Sequence, residues 1–256
     1  MNHFSNSKLY ITIMAGGLSK RMNSHIPKVL HLIKNTPMII HIIKQMIMLN
    51  PDKIIIVVPS KYHDLIKSTI ENYIQIKSIQ IKSIIYVEQP VSLGTAHAIK
   101  CTLPYLESGV NNIILNGDVP LLQCSTVKSI YEYYNLHKSQ MLITAIDLSD
   151  PTGNGRVILN NNACPCKIIE EKDCDLGQKL ITLVNCGIYI VTSDFLIKYI
   201  PLIQNNNVQT EYYLTDIVEI VSVDKKSCDL FILEQSQKNE IYNINTKEQL
   251  CAANNF

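Results

Sequence analysis

The sequence predicts an α/β protein, with a doubly wound, mostly parallel mixed sheet, helices on both faces and a small antiparallel extension. Three observations carry this. Short β-rich runs alternate with helical patterns through the first half of the chain. One run, Lys53–Val58 (KIIIVV), is continuously apolar, as suits a strand buried on both faces of a parallel sheet. From Met141 onward the character changes to short strands separated by turns rich in Asn, Asp and Gly.

Taken in order, Lys8–Met14 (KLYITIM) is a strand running into the tight turn Ala15-Gly16-Gly17. Pro37 and the apolar period of Met38–Leu49 set a helix that Asn50-Pro51 closes. The Lys53–Val58 strand, a helix over Ser60–Tyr73 and a strand at Ser83–Val87 follow, then a helix over Thr95–Leu103 and a strand at Asn112–Asn116. In the second half, strands are expected at Met141–Ile146, Arg156–Leu159, Lys167–Glu170, Leu183–Val191 and Leu230–Glu234, with helices over Ser193–Ile200 and Thr246–Ala253. No repeat of 20–50 residues and no low-complexity linker divides the 256 residues, so they read as one domain.

Composition narrows the function. A net charge of +1 gives no electrostatic footprint for nucleic acid or an anionic membrane surface. Residues Met1 to Ser7 are polar and lack a basic segment before an apolar one, so no secretory signal is expected. Met38–Leu49, broken by His41, Lys44 and Gln45, is too short and polar to span a bilayer. The expected location is the cytoplasm; the Ile-, Asn- and Lys-rich composition of an AT-rich genome fits an intracellular organism or a virus, and then the host's cytoplasm. The eight cysteines suit a reducing compartment, and Cys164, Cys166 and Cys174 lack the Cys-x-x-Cys or His pair that would complete a zinc site. Against 21 lysines stand only two arginines, Arg21 and Arg156, each after a small-residue or glycine-bearing turn.

Four segments can carry chemistry. Ala15-Gly16-Gly17-Leu18-Ser19-Lys20-Arg21-Met22, with Pro27-Lys28-Val29-Leu30 after it, offers backbone N–H groups and fixed positive charge to a triphosphate. It is neither a Walker A loop nor Gly-x-Gly-x-x-Gly, and the plain alternative is a glycine turn with solvated cations. Asn116-Gly117-Asp118-Val119-Pro120-Leu121 places a carboxylate at the carboxyl end of a strand, where ligands of open α/β sheets gather and where Mg²⁺ can bind; otherwise Asp118 starts a turn. In Glu88–Ala98, Gln89 can read a base edge with its paired donor and acceptor, Gly94-Thr95 opens a helix, and His97 reads as a packed or capping histidine rather than a base. Gly153-Asn154-Gly155-Arg156, Glu170, Asn185-Cys186-Gly187 and Glu211–Asp216 form a polar and acidic set that suits either a sugar or surface turns.

Together these segments resemble the uridyltransferase domain of the bacterial N-acetylglucosamine-1-phosphate uridyltransferases, in the Rossmann-like (GT-A-like) sugar nucleotidyltransferase superfamily. The match runs in order through Pro27-Lys28-Val29-Leu30-His31, Leu93–Ala98, Gly117–Leu121, Asp150–Arg156 and Asn205–Asp216. The resemblance implies that Ala15, Gly16, Gly17, Gln89, Gly94 and Thr95 hold the nucleotide, with Arg21 and Lys28 on the phosphates. It places Mg²⁺ on Asp118 and Asn245, and the N-acetylglucosamine moiety on Gly155, Glu170, Asn185, Tyr213 and Thr215. Arg21, Lys28 and Asp118 are then the catalytic set for UMP transfer from UTP to N-acetylglucosamine-1-phosphate, and no nucleic acid or membrane partner is implied. It further implies a nucleotide-binding half over about 8–122, a sugar-binding half over about 140–245 and a C-terminal helix over 246–256, without the hexapeptide-repeat acetyltransferase domain. The chain departs from the family at Ser19-Lys20, where Gly-Thr is usual, at Asn116, where tyrosine is common, and at Cys186, where threonine is. Its Ala-Gly-Gly-x-Ser run is also similar to molybdenum-cofactor guanylyltransferases and cytidylyltransferases. Another NTP or sugar phosphate, or a non-catalytic nucleotide-sugar sensor, are the competing readings.

Overall fold

The computed structural model describes residues 8–17, 20–22, 24–76, 81–224, 226 and 228–255. In chain order, β1 (Leu9–Met14) leads to a small hairpin of β2 (Leu32–Ile33) and β3 (Thr36–Pro37), then α1 (Met38–Ile47), β4 (Lys53–Pro59), α2 (His63–Ile76) and β5 (Ile84–Gln89). Next come α3 (Thr95–Thr102), β6 (Asn111–Asn116), α4 (Cys124–His137), β7 (Met141–Asp147), β8 (Arg156–Leu159) and β9 (Pro165–Ile169). The chain finishes with β10 (Leu183–Thr192), α5 (Ser193–Tyr199), α6 (Ile217–Val223), β11 (Cys228–Ile232) and α7 (Lys247–Ala253).

The main sheet has nine strands in the order β11-β7-β10-β6-β1-β4-β5, with β8 and β9 branching from β10. On that path β1 pairs in parallel with β4 and β6, β4 with β5, and β7 with β11. Only β10 runs against its neighbours, β6 and β7. The antiparallel β8–β9 pair is the small extension. Alternation of side chains divides the core into two layers. Ile11, Ile13, Ile54, Ile56, Ile113 and Leu115 face α1, α2 and α4, while Ile114, Ile143, Tyr189 and Val191 face α3, α5 and α6. The Ile54–Val58 run is wholly buried because both faces are covered, which is why its sequence shows no polar alternation.

Most elements fall where the sequence places them. The structure adds two helices that the sequence reading lacks, α4 and α6, and moves the last strand upstream from Leu230–Glu234 to Cys228–Ile232. In α4 the buried Val127, Ile130, Tyr131 and Tyr134 follow helical spacing, but tyrosines supply half of the stripe and blunt the apolar signal. α6, Ile217–Val223, is rich in β-branched residues and short, so packing of Ile217, Val218 and Val221 against the sheet, rather than propensity, makes it helical. No helix among the described residues is long and apolar enough to cross a membrane.

Candidate active site

The carboxyl ends of β1, β5 and β6 open onto a cleft of about 390 Å³ lined by Ala15, Gly16, Gly17, Arg21, Lys28, Gln89, Gly94, Thr95 and Asp118. The nucleotide-binding residues expected from sequence are thereby brought together. Leu18 and Ser19 of the same loop lie outside the described residues. Gln89 is buried, and its amide is committed on one side: Nε2 donates to Gly94 O (3.0 Å) and to His97 Nδ1 (3.2 Å). Burial depresses the His97 pKa, which keeps the ring neutral and Nδ1 able to accept. His97 thereby orients Gln89 and is not among the residues that line the cleft. Only the acceptor Oε1 remains for a ligand, and it lies so close over Gly16 that a Cβ there would collide with it. The expectation of a paired donor and acceptor reading the base is corrected accordingly. Thr95 lies at the start of α3, and its hydroxyl accepts the Leu214 N–H at 2.9 Å, tying the nucleotide side to the second half of the chain.

A second cleft, of about 560 Å³, contains Gly155, Glu170, Asn185 and Thr215. Arg21, Thr95, Asn116, Asp118 and Asn245 line both clefts and form their common wall. The antiparallel extension supplies Gly155 and Glu170: Asn185 N–H donates to Gly155 O (2.8 Å), and Thr215 Oγ1 donates to Glu170 Oε1 (2.9 Å). Burial pushes the Glu170 carboxyl above its usual range. Tyr213 is placed differently from its expected companions. It is 6% exposed and lines a neighbouring cavity with Asp173, Asp216, Glu219 and, of those companions, only Glu170, which lines both cavities; its hydroxyl accepts Gln209 Nε2 at 2.6 Å.

The common wall carries the charge. Lys28 Nζ sits 2.5 Å from Asp118 Oδ2 and 2.9 Å from Asn245 Oδ1, and the latter also accepts from Arg21 Nη2 at 2.9 Å. Ile244 N–H donates to Asp118 O (2.9 Å), a backbone bond that sets the two oxygen-bearing side chains side by side. Asn245 is fixed further by Gln249 of α7, whose Oε1 accepts the N–H groups of Asn245 (2.7 Å) and Thr246 (3.1 Å) while Thr246 Oγ1 accepts that of Gln249 (3.2 Å). Gln249 escaped the sequence reading, although Thr246-x-x-Gln249 is a capping-box spacing. Arg156, the second arginine, is 1% exposed and pairs at 2.7 Å with Glu171, which also accepts the N–H of Gly153 on the second cleft (3.1 Å). Gln209 and Glu211 also line the first cleft and were not singled out as single residues.

A glycine-bearing turn after β1, a carboxylate after β6, the fourth parallel strand in chain order, and a cationic wall between two clefts define a nucleotidyltransferase. Residues 11–157 match the family model of the MobA-like NTP transferase domain, and the chain belongs to that family. It is 53% identical over 245 residues to a "Probable UDP-N-acetylglucosamine pyrophosphorylase" of Acanthamoeba polyphaga mimivirus, covering 95% of this chain and 94% of that protein. It is also similar to the "Bifunctional protein GlmU" of Trichodesmium erythraeum, 33% identical over 95% of this chain, and of Idiomarina loihiensis, 35% identical over 96%. The chain spans about half the length of those two relatives, 50% and 51%.

Proposed function

We propose that this chain transfers UMP from UTP to N-acetylglucosamine-1-phosphate, giving UDP-N-acetylglucosamine and pyrophosphate. The observation that carries the reading is the wall shared by the two clefts, where Arg21, Asp118 and Asn245 line both and Lys28 reaches Asp118 and Asn245 from the first. A nucleotide in the first cleft and a sugar phosphate in the second meet there, so the sugar-phosphate oxygen can approach the α-phosphorus in line. The nucleophile is already an ionised phosphate and needs no covalent side-chain intermediate. Arg21 and Lys28 offset the charge that builds on the phosphoryl oxygens. The likeness in sequence to the mimivirus protein over almost its full length supports the substrate pair.

Mg²⁺ fits the same wall. Asp118 Oδ1 is buried and has no hydrogen-bond partner among the described residues, while the Lys28 ammonium links the other carboxylate oxygen, Oδ2, to Asn245 Oδ1, a second available oxygen. That donor set suits an ion that takes one or two protein oxygens and fills its shell with water and phosphate. When bound, Mg²⁺ would withdraw charge from the reacting phosphate. Gly16, Gly17, Gln89, Gly94 and Thr95 would hold the nucleoside end, with Ala15 at the floor. Gln89 Oε1, having only acceptor character, suits the N3–H of uracil and opposes the N3 acceptor of cytosine. The N1–H of guanine satisfies the same acceptor, so GTP is the competitor to exclude. Gly155, Glu170, Asn185 and Thr215 would take the sugar, and Tyr213 would support that set from behind. On this reading residues 8–122 form the nucleotide half and 140–245 the sugar half, and the reaction takes place in the cytoplasm, where UTP is made.

Pyrophosphate release tests it, with UTP, CTP and GTP crossed against the 1-phosphates of N-acetylglucosamine, N-acetylgalactosamine and glucose. Turnover concentrated on UTP with N-acetylglucosamine-1-phosphate, abolished in Asp118→Ala, is the expected result. A different preferred pair would overturn the substrate while keeping the reaction, and silence with UDP-sugar still bound would leave a sensor.

A further inference from the structure

We propose that Tyr189 is a sugar-contacting residue of the second cleft, its hydroxyl fixing the Asn185 amide and donating its own proton to an oxygen of the hexose 1-phosphate. The inference rests on the function proposed above. It begins with an irregularity in β10. Against β7, Asn185 pairs with Ala145 and Tyr189 with Ile143, so β10 advances four residues while β7 moves two. In a regular strand, residues four apart lie about 13 Å from each other and their side chains do not meet. Here the bulge turns at Gly187, φ +71°, and Asn185 Nδ2 reaches Tyr189 Oη at 2.7 Å. The turn packs so tightly that a Cβ on Gly187 would collide with the Asn116 amide. The bulge therefore aims a side chain at a binding site.

The hydrogen bonds fix the polarity of the pair. Gly187 N–H donates to Asn185 Oδ1 at 3.2 Å, which assigns the amide oxygen and leaves Nδ2 facing the phenol. Tyr189 Oη thus accepts, and its own proton remains to be donated. No group among the described residues accepts it, although Tyr189 is only 3% exposed and lines the cleft that holds Glu170 and Asn185. Burial first, and the Glu170 carboxylate second, keep that hydroxyl protonated. A tyrosine kept only for packing would leave its hydroxyl half satisfied, where phenylalanine would fill the same space without an unused donor. With a sugar bound, the phenol proton and the second Nδ2 hydrogen of Asn185 are donors, and Glu170 beside them is an acceptor. Such a mixed set matches the carbonyl oxygen and N–H of an acetamido group, and a bare hydrocarbon surface would not use it.

Tyr189→Phe removes the hydroxyl and little else. Calorimetric titration with UDP-N-acetylglucosamine and with UDP, beside steady-state kinetics and a melting curve, reads the result. The expected outcome is about a tenfold rise in the Kd for UDP-N-acetylglucosamine and in the KM for N-acetylglucosamine-1-phosphate. The Kd for UDP, the KM for UTP and the melting temperature stay at wild-type values. Unchanged sugar affinity would overturn the proposal, as would equal rises in both KM values with a lowered melting temperature, which mark a structural role. A wild-type protein that neither turns over UTP with N-acetylglucosamine-1-phosphate nor binds UDP-N-acetylglucosamine defeats the proposed function, and Tyr189 with it. A competent wild type with an identical variant defeats the Tyr189 assignment alone.

Discussion

Lys28 and Asp118 lie 90 residues apart in sequence, and their side chains meet at 2.5 Å on the wall between the two clefts. Both side chains are only 13% exposed, so the pair is held in surroundings where charge is poorly screened. The ammonium is also within 2.9 Å of Asn245 Oδ1. It thereby links Asp118 Oδ2 to Asn245 Oδ1, tying together the two residues proposed to hold Mg²⁺.

Asp118→Asn keeps the shape and removes the charge. Turnover should fall by about 10²- to 10³-fold, the scale on which a preorganised charged group acts at a transferring phosphate. UTP binding without Mg²⁺ should be at least as tight as in wild type, since a carboxylate that repels the triphosphate is gone. Adding Mg²⁺ should then improve UTP binding in wild type and hardly at all in the variant. Titrations of UTP with and without Mg²⁺ check this, and an equal Mg²⁺ effect in both proteins would remove Asp118 from the metal.

Asn245 depends on the helix behind it. Gln249 accepts the N–H groups of both Asn245 and Thr246, so Gln249→Ala frees the turn that carries the Asn245 amide, proposed above to face Mg²⁺. The expected loss of stability is about 1 kcal/mol, as for other broken caps. The Mg²⁺ concentration for half-maximal activity should rise several-fold, and Mn²⁺ binding, read by its paramagnetic signal, should weaken in parallel. Gln249→Glu, which retains the acceptor, should recover the stability. A variant that is less stable but has unchanged metal affinity would limit Gln249 to a capping role.

The parallel half of the fold was legible because Ile54 to Val58 and the turn after Met14 obey simple rules of burial and backbone shape. Where Gln89 directs its donor was not, because the partners Gly94 O and His97 Nδ1 depend on how the loop after β5 folds back. The position of Tyr213 was hidden for a related reason: its neighbour Thr215 reaches Glu170, while Tyr213 itself turns to Gln209. Resemblance carries residue identity along the chain, but a one-residue change of facing within Glu211–Asp216 is set by packing. The bulge in β10 is the clearest case, since a period-two reading of Leu183–Val191 places Asn185 and Tyr189 on one face and gives no reason for them to touch.

Arg156 and Glu171 offer a test of how the Gly153 turn on the second cleft is supported. Arg156 is 1% exposed and Glu171 28% exposed, so the two ends of the pair are not equivalent. Glu171→Ala strands a buried guanidinium, and about 3 kcal/mol of stability should be lost. Arg156→Met leaves a carboxylate that water can reach, and the loss should be smaller. The double variant should be no less stable than Glu171→Ala alone. Urea midpoints around this cycle measure the coupling, and additive losses would show that the pair does not act as a unit.

Asp216 gives the stability a pH dependence of known sign. Burial first, then the charges of Glu170 and Glu219, raise its pKa from 3.8 to about 6. The folded protein therefore holds this proton more tightly than the unfolded chain does. The resulting stabilisation is fully present below the unfolded value near 3.8 and is lost as pH rises through about 6. Above that, the folded state carries a carboxylate in a half-buried, acidic setting. Asp216→Asn removes the charge and should stabilise the protein at pH 8 by about 1 kcal/mol, after allowing for solvent screening of a half-exposed group. The advantage should shrink through pH 6 and vanish near pH 4, where the wild-type carboxyl is itself neutral. Urea unfolding of both proteins across that range reads it directly. A gain independent of pH would assign the effect to packing, and a loss at pH 8 would mean that the carboxylate makes a stabilising interaction stronger than the repulsion of its neighbours.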